Sequence, residues 1–333
     1  MKENQIYAPG RRVDFAGAGV SPVQGKIDVA LSQFAQLYRN NTFVAEALFP
    51  RVEVLKQTDL FWTFGRENQA LRENTLRAPT AAAERIQQTL SKNPYSTTDH
   101  ALARLISDEE RGNFMAGDLE QWATQTIMDK LMLDEEVRAA AIALNAANYA
   151  GTNNVMLAGA SQWSAYLTNN DLSNPIQDVE TAKSQIRQIG QEANVMIIGD
   201  PVYKALRAHP QIVDRFKFVN GGQITLQQLA QVFGIERVLL ASAIQLDQAN
   251  NASFVWGKSA VLAYAQPNSN FYDVSFGKTF VWTQAPGTVG GFATEIARLT
   301  PASAKADELA SHFYYGQQVT SNISGYLILN AVA

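Results

Sequence analysis

The sequence predicts an α+β fold with antiparallel pairing, on three observations. Helical apolar spacing with recognisable caps recurs from Lys26 to Phe233, a single very long helix occupies the middle, and β patterning dominates beyond Ala241.

Taken in order, residues 1–25 hold four glycines and two prolines and build no periodic face, which predicts an extended arm. Ile27, Leu31, Phe34 and Leu37 fall at helical spacing and predict a short helix from Lys26 that ends near Arg39-Asn40-Asn41. Phe43 to Leu55 read as β-like around Phe49-Pro50. From Gly65 to His100 only five of 36 residues are large and apolar: Leu71, Leu76, Ile86, Leu90 and Tyr95. Ordering a backbone costs about 1 to 2 kcal/mol per residue, so this stretch cannot order itself and needs a partner. Ile86 and Leu90 alternate with polar residues, and the charges come as opposite pairs, Arg66-Glu67, Arg72-Glu73 and Glu84-Arg85. We read a long two-stranded excursion that serves assembly and contributes little to the stability of the chain itself.

Asp118, with Gln121 three residues on, predicts the N-cap of a helix that buries one face as far as Tyr149, roughly 45 Å in all. Asp118, Glu120, Asp129, Asp134, Glu135 and Glu136 are assigned to its solvated face. A helix from Pro175 to Gly190, a buried strand Asn194–Gly199, a helix capped by Asp200-Pro201, a helix from Thr225 to Gly234 and a strand Ile235–Ala241 follow. Strands are then expected at Ser253–Ala265, Val274–Thr283, Gly291–Thr300 and Ile323–Val332.

Composition narrows the function. The 333 residues are 46% apolar, enough for a real core, and 27 basic against 31 acidic side chains leave a net charge of -4. That balance argues against tight sequence-independent gripping of nucleic acid, which needs a basic excess. With no cysteine, thiolate nucleophiles, disulfides and cysteine metal sites are excluded together. No apolar segment resembles a signal peptide or a bilayer span, so a soluble chain made in a cytoplasm is expected.

Enzyme motifs fail on physical grounds. Ala252 to Ser259, ending Gly257-Lys258-Ser259, fits a permissive phosphate-loop pattern, but Phe254, Val255 and Trp256 favour a strand, and the following residues look like more strand instead of a helix. His100, His209 and His312 lie far apart without ligand spacing and read as surface or locally bonded imidazoles. Asp108-Glu109-Glu110 and Asp134-Glu135-Glu136 diverge around a helix and read as solvated faces before acid/base pairs. No catalytic residue, metal or cofactor is expected.

A loose arm, a core-poor excursion, a spine helix and a mixed sheet describe a subunit completed by its neighbours. Tyr38–Phe43 leading into Leu48–Val54, then Phe61–Phe64, Leu144–Tyr149, Asn194–Gly199 with His209-Pro210, Trp256-Gly257-Lys258 and Gly325–Ile328 carry a resemblance that spans nearly the whole chain. The sequence resembles the major capsid proteins of tailed bacteriophages, with the Hong Kong 97-like fold. The resemblance implies an N-terminal arm (1–45), an extended loop (57–105), a peripheral domain with the spine helix (46–56, 106–190 and 266–318) and an axial domain (191–265 and 319–333). It implies hexamers and pentamers that close an icosahedral shell round double-stranded DNA without sequence-specific contact, scaffolding and portal proteins as partners, procapsid maturation, and no membrane. The lack of a long charged N-terminal segment implies a separate scaffolding protein or a segment already removed. Loop residues Arg66, Glu67, Arg72, Glu73, Glu84, Arg85, Ile86 and Leu90 are the candidate assembly contacts. A nanocompartment shell of the same fold and an α+β enzyme using Lys258 or Lys278 are the alternatives.

Overall fold

The computed structural model describes residues 21–22, 26–37, 42–63, 75–76, 85, 91–114, 119–167, 172–188, 190–216, 224–247, 249–266, 270–300 and 305–333. Strands β1 (Ser21–Pro22) and β2 (Lys26–Ile27) pair antiparallel with residues near the far end of the chain. Helix α1 (Val29–Leu37) therefore starts later than its apolar spacing suggests, with Asp28 Oδ1 accepting from the Leu31 N–H at 3.0 Å. The segment expected to be β-like opens as a helical turn, α2 (Ala45–Leu48), and becomes strand only at β3 (Arg51–Val54). Val44 has no capping side chain, and the first amides of α2 are satisfied by a distant carboxylate described below.

The excursion has its two-stranded base: β4 (Thr58–Thr63) pairs antiparallel with β5 (Ser91–Ser96). Strand β6 (Thr98–Ser107) leads into α3 (Asp108–Asn113), where Ser107 Oγ accepts from the Glu110 N–H at 3.0 Å. The spine, α4 (Leu119–Ala143), has 25 residues and a length of about 37 Å. It stops short of Tyr149 because Asn145 Oδ1 takes the Ala147 N–H and starts a separate 3-10 turn, Ala146–Asn148. The expected cap, Asp118, lies outside the described residues.

After β7 (Asn154–Met156), helix α5 (Pro175–Arg187) begins as expected, with Asn174 Oδ1 accepting from the Gln177 N–H and proline in the first turn. Strand β8 (Val195–Gly199) is buried throughout and is followed by α6 (Asp200–Ala208), α7 (Pro210–Phe216) and α8 (Leu226–Phe233). Thr225 and Gln228 cap α8 reciprocally, and Gly234 ends it at φ 59°, where a side chain would be strained.

The remaining strands are β9 (Arg237–Ala241), β10 (Ile244–Leu246), β11 (Ala252–Phe254), β12 (Ala260–Ala263), β13 (Gly277–Trp282), β14 (Phe292–Thr300), β15 (Ala306–Val319) and β16 (Gly325–Leu329). Two of these correct the sequence reading. A turn with Gly257 at φ 53° divides the expected strand 253–265 into β11 and β12. Strand β15, 14 residues long, was not expected, because its buried side mixes Leu309, Phe313 and Tyr315 with Ser311 and Gln317 and so blurs the period of two. Pairing is also mixed, not purely antiparallel: β3 with β13, β7 with β16 and β8 with β9 are parallel. Parallel neighbours need a crossover, which α6, α7 and α8 supply between β8 and β9.

The chain divides into two compact units. One comprises Met1–Tyr38, Asp99–Leu131 and Ala285–Phe313. Within it β14 pairs with β15, the rings of Phe292 and Phe313 stack at 4.1 Å, and Ser32 Oγ on α1 accepts from the Thr294 N–H at 2.9 Å. Arg298 grips both oxygens of Asp108 at 2.6 Å and reaches Asp307, which Arg111 ties in turn to Glu120. The Arg298 hydrogen bonds hold the Asp108 carboxyl below its usual range.

The other unit comprises Arg39–Thr98, Met132–Gln284 and Tyr314–Ala333, built on a sheet in the order β7-β16-β12-β8-β9. Met196, Ile198, Leu262 and Ile328 face one apolar layer, which includes residues of α5, α6 and α8. Val195, Ile197, Val261 and Leu327 face the other, with Ala139, Ala140 and Ala143 of α4 and Leu48 of α2. Because both faces are covered, β8 reads as an unbroken apolar run.

Candidate functional site

The excursion is rooted in the core of its own unit. Phe61 on β4 and Tyr95 on β5 are both buried, and their rings lie 5.4 and 4.6 Å from that of Phe280 on β13. Tyr95 OH donates to Lys56 O at 3.3 Å, and the Thr97 N–H donates to Gln57 O at 2.9 Å. Higher up, Lys92 Nζ stands 4.3 Å from the ring centre of Trp62, a cation over an aromatic face. The expectation that 65–100 adds little stability is thus corrected at its far end: Tyr95 is 3% exposed and Thr97 fully buried. Of the candidate contacts, Arg85 is exposed. Arg66, Glu67, Arg72, Glu73, Glu84, Ile86 and Leu90 lie outside the described residues.

The sequence reading missed a polar keystone on the spine. Glu136 is fully buried, and its carboxylate accepts from Ala45 N–H at 2.8 Å, Val44 N–H at 3.1 Å and Trp256 Nε1 at 2.6 Å. Burial pushes its pKa up, against the pull of those three donors. Beside it Glu135, also buried, bridges to Arg51 at 2.8 Å and accepts at its backbone oxygen from Gln317 Nε2. Assigning both to a solvated acidic face was therefore wrong. Glu136 stands four residues after Met132 and four before Ala140, on the buried stripe, and that spacing was the available signal. Asp134, which pairs with Arg138, does face solvent.

The enzyme candidates resolve into packing. Residues 255–258 form a turn, and β12 follows where a phosphate loop would need a helix N-terminus. Lys258 O accepts from the Ala331 N–H, and Trp256 is buried on Glu136. His209 is a core residue, not a surface one, with Nε2 3.1 Å from Ser173 Oγ. His312 Nδ1 lies 2.8 Å from Asp99. Lys278 is buried, donates to Asn270 O at 2.7 Å and Phe271 O at 3.2 Å, and is brought down by burial to a pKa of about 8. Among the described residues no helix is long and apolar enough to cross a membrane, and no three histidine or carboxylate side chains are placed to hold a metal.

Comparison with known proteins gives the family. No family model matches the chain. The major capsid protein of Burkholderia phage BcepMu is 32% identical over 240 residues, 72% of this chain and 76% of that protein. This chain belongs to the phage major capsid proteins. A second capsid protein, from Pseudomonas phage JBD67, is 25% identical over 265 residues, 77% of this chain and 83% of that one. A solved phage-related protein from Bordetella bronchiseptica RB50 shares the fold with a TM-score of 0.75 at 26% identity, covering 93% of this chain and 99% of the other. The capsid structure of cyanophage P-SCSP1u gives 0.56 at 12% identity, covering 88% and 89%, a likeness of fold alone. The mixed helix-and-sheet fold is that of phage capsid subunits, of the Hong Kong 97-like kind. As a capsid protein, the chain builds a multimeric shell in the virion, and both curated relatives favour that reading over a nanocompartment.

Proposed function

We propose that this capsid protein is a purely structural subunit that forms hexamers and pentamers closing an icosahedral shell round double-stranded DNA. The observation that carries the reading is the match over 72% of the chain to the BcepMu capsid protein. Assembly takes place in the host cytoplasm with scaffolding and portal proteins. The net charge of -4 suits a lining that does not grip the packaged DNA. We assign 1–45 to an arm, 57–105 to an extended loop, 46–56, 106–190 and 266–318 to a peripheral domain, and 191–265 with 319–333 to an axial domain. In the loop, Arg66, Glu67, Arg72, Glu73, Glu84, Arg85, Ile86 and Leu90 contact a neighbouring subunit, with the paired charges fixing register. A root fixed by Phe61 and Tyr95 below a stretch poor in apolar residues supports this role. Electron microscopy of particles from cells expressing the chain with its scaffolding partner tests it. Closed shells with five- and six-fold capsomers are expected, and a compact monomer under every salt and concentration overturns the reading.

A further inference from the structure

The hairpin of β10 and β11 is amphipathic with its apolar side turned to water. Ile244 lies opposite Phe254 and Leu246 opposite Ala252, so these four share one face, while Gln245 and Ser253 share the other. Ile244 is 49% exposed and Leu246 66%, and Gln245 is less exposed than either. An exposed apolar face of this kind marks a binding surface.

The same unit holds a concave counterpart. Between α8 and β9 runs an open groove of about 600 Å³ with a mixed lining, Leu226, Ala230 and Leu239 beside Gln231, Glu236 and Arg237. Strand β9 ends the sheet order and, among the described residues, pairs only with β8. The Arg237 N–H points to β8, where it donates to Asn194 O, so the alternate amides of Val238 and Leu240 point to the open edge. An apolar edge strand with no proline or lysine is a template for pairing. Arg237 also lines the groove, and its Nε is buried without a hydrogen-bond partner among the described residues. Asp247 at the hairpin tip is the sole charged residue of 242–254, and its exposed carboxylate closes the turn by accepting from the Ala249 and Asn251 N–H groups and from Asn251 Nδ2.

We propose that the Ile244/Leu246 face of the hairpin of one copy docks in the α8–β9 groove of a second copy, with Asp247 approaching Arg237. The occupant is a second copy because copies of the chain surround it in a shell, and because the exposed apolar ridge, a groove with apolar residues in its lining and the two charges Asp247 and Arg237 are all on this one chain. A knob and a hole on different surfaces make a head-to-tail contact, which closes into a ring when the rotation permits. The inference rests on the proposed capsomers and names a contact within them.

The chain has no cysteine, so engineered pairs give a clean test. Ala230→Cys and Leu246→Cys are placed in separate chains, co-expressed, and particles are oxidised. A two-chain disulfide product is expected, absent when either variant is expressed alone. Leu246→Asp should melt like the parent, because the side chain is exposed, yet lower particle yield about tenfold or more. Arg237→Asp should lower the yield, and Asp247→Asn, which keeps an acceptor oxygen for the Ala249 and Asn251 N–H groups while removing the charge, should lower it by a smaller factor. Normal particles from Leu246→Asp with no 230–246 cross-link inside them overturn this contact and leave the shell reading standing. Another head protein found in the groove also overturns it. Failure of the unsubstituted chain to form any shell removes the shell reading itself and this contact with it.

Discussion

Glu136 collects three donors from two segments that lie about 90 and 120 residues away, so its carboxylate links the spine, α2 and the turn after β11. Removing a partner from a buried hydrogen bond leaves the other group desolvated, which costs about 1 to 3 kcal/mol. Glu136→Gln and Trp256→Phe should each destabilise the subunit by about that amount. In denaturant melts the pair should couple by about 0.5 kcal/mol or more, and strict additivity would show that the 2.6 Å bond contributes nothing. Lys278 makes a separate prediction through its depressed pKa. The unfolded chain binds a proton that the folded one has released between about 8 and the ordinary 10.5. Folding stability therefore rises with pH across that window, and the gain is lost as pH falls through about 8. Lys278→Met should lack this rise, so the stability gap between parent and variant changes by about 3 kcal/mol from pH 8 to 10.5. Parallel pH profiles for the two proteins would rule the assignment out.

At the scale of elements, the paired strands β4 and β5 are anchored in the core, and the assembly role proposed for the residues between them can be tested apart from that anchoring. The root of these strands is part of the core: Tyr95→Ala should cost about 3 kcal/mol or more, in the range of large aromatic truncations. Replacing residues 64–90 with a short glycine-serine turn keeps Phe61, Tyr95 and Thr97 in place. That variant should melt within a few degrees of the parent and fail to form stable shells. Shells of normal yield, seen by sedimentation and microscopy, would remove the assembly role from the loop. Strand β15 illustrates a different point about elements. It gives residues up to Phe313 to one unit and from Tyr314 to the other, so one strand carries chain continuity between two separately packed bodies.

For the whole molecule, the two units each hold a packed interior, and neither shows a constellation for a reaction among the described residues. The phosphate-loop look-alike is a turn between two strands with its tryptophan buried. Calorimetry with magnesium ATP should therefore give no saturable binding for the parent or for Lys258→Ala, and micromolar binding by the parent would reopen the enzyme reading. A structural subunit needs surfaces more than pockets, and the exposed apolar side chains of β10 fit that need.

The sequence by itself determined the locally encoded elements. Helix α8 is written in Thr225, Gln228 and Gly234, helix α5 in Asn174-Pro175, and β8 in its apolar run, because caps, proline and burial on two faces act within a few residues. The capsid family entered as a resemblance carried by motifs such as Tyr38–Phe43 and Trp256-Gly257-Lys258. Of the candidate loop contacts the sequence could give only composition and charge pairing. The tertiary structure alone decided what depends on distant partners: the burial of Glu135 and Glu136, the helical turn at Ala45 that Glu136 caps, and the parallel pairing of β3 with β13. Strand β15 belongs with these, since Ser311 and Gln317 are buried only because neighbouring strands and helices cover them. A polar side chain reads as solvated in a sequence, and only the three-dimensional placement of its hydrogen-bond partners makes its burial affordable in free energy.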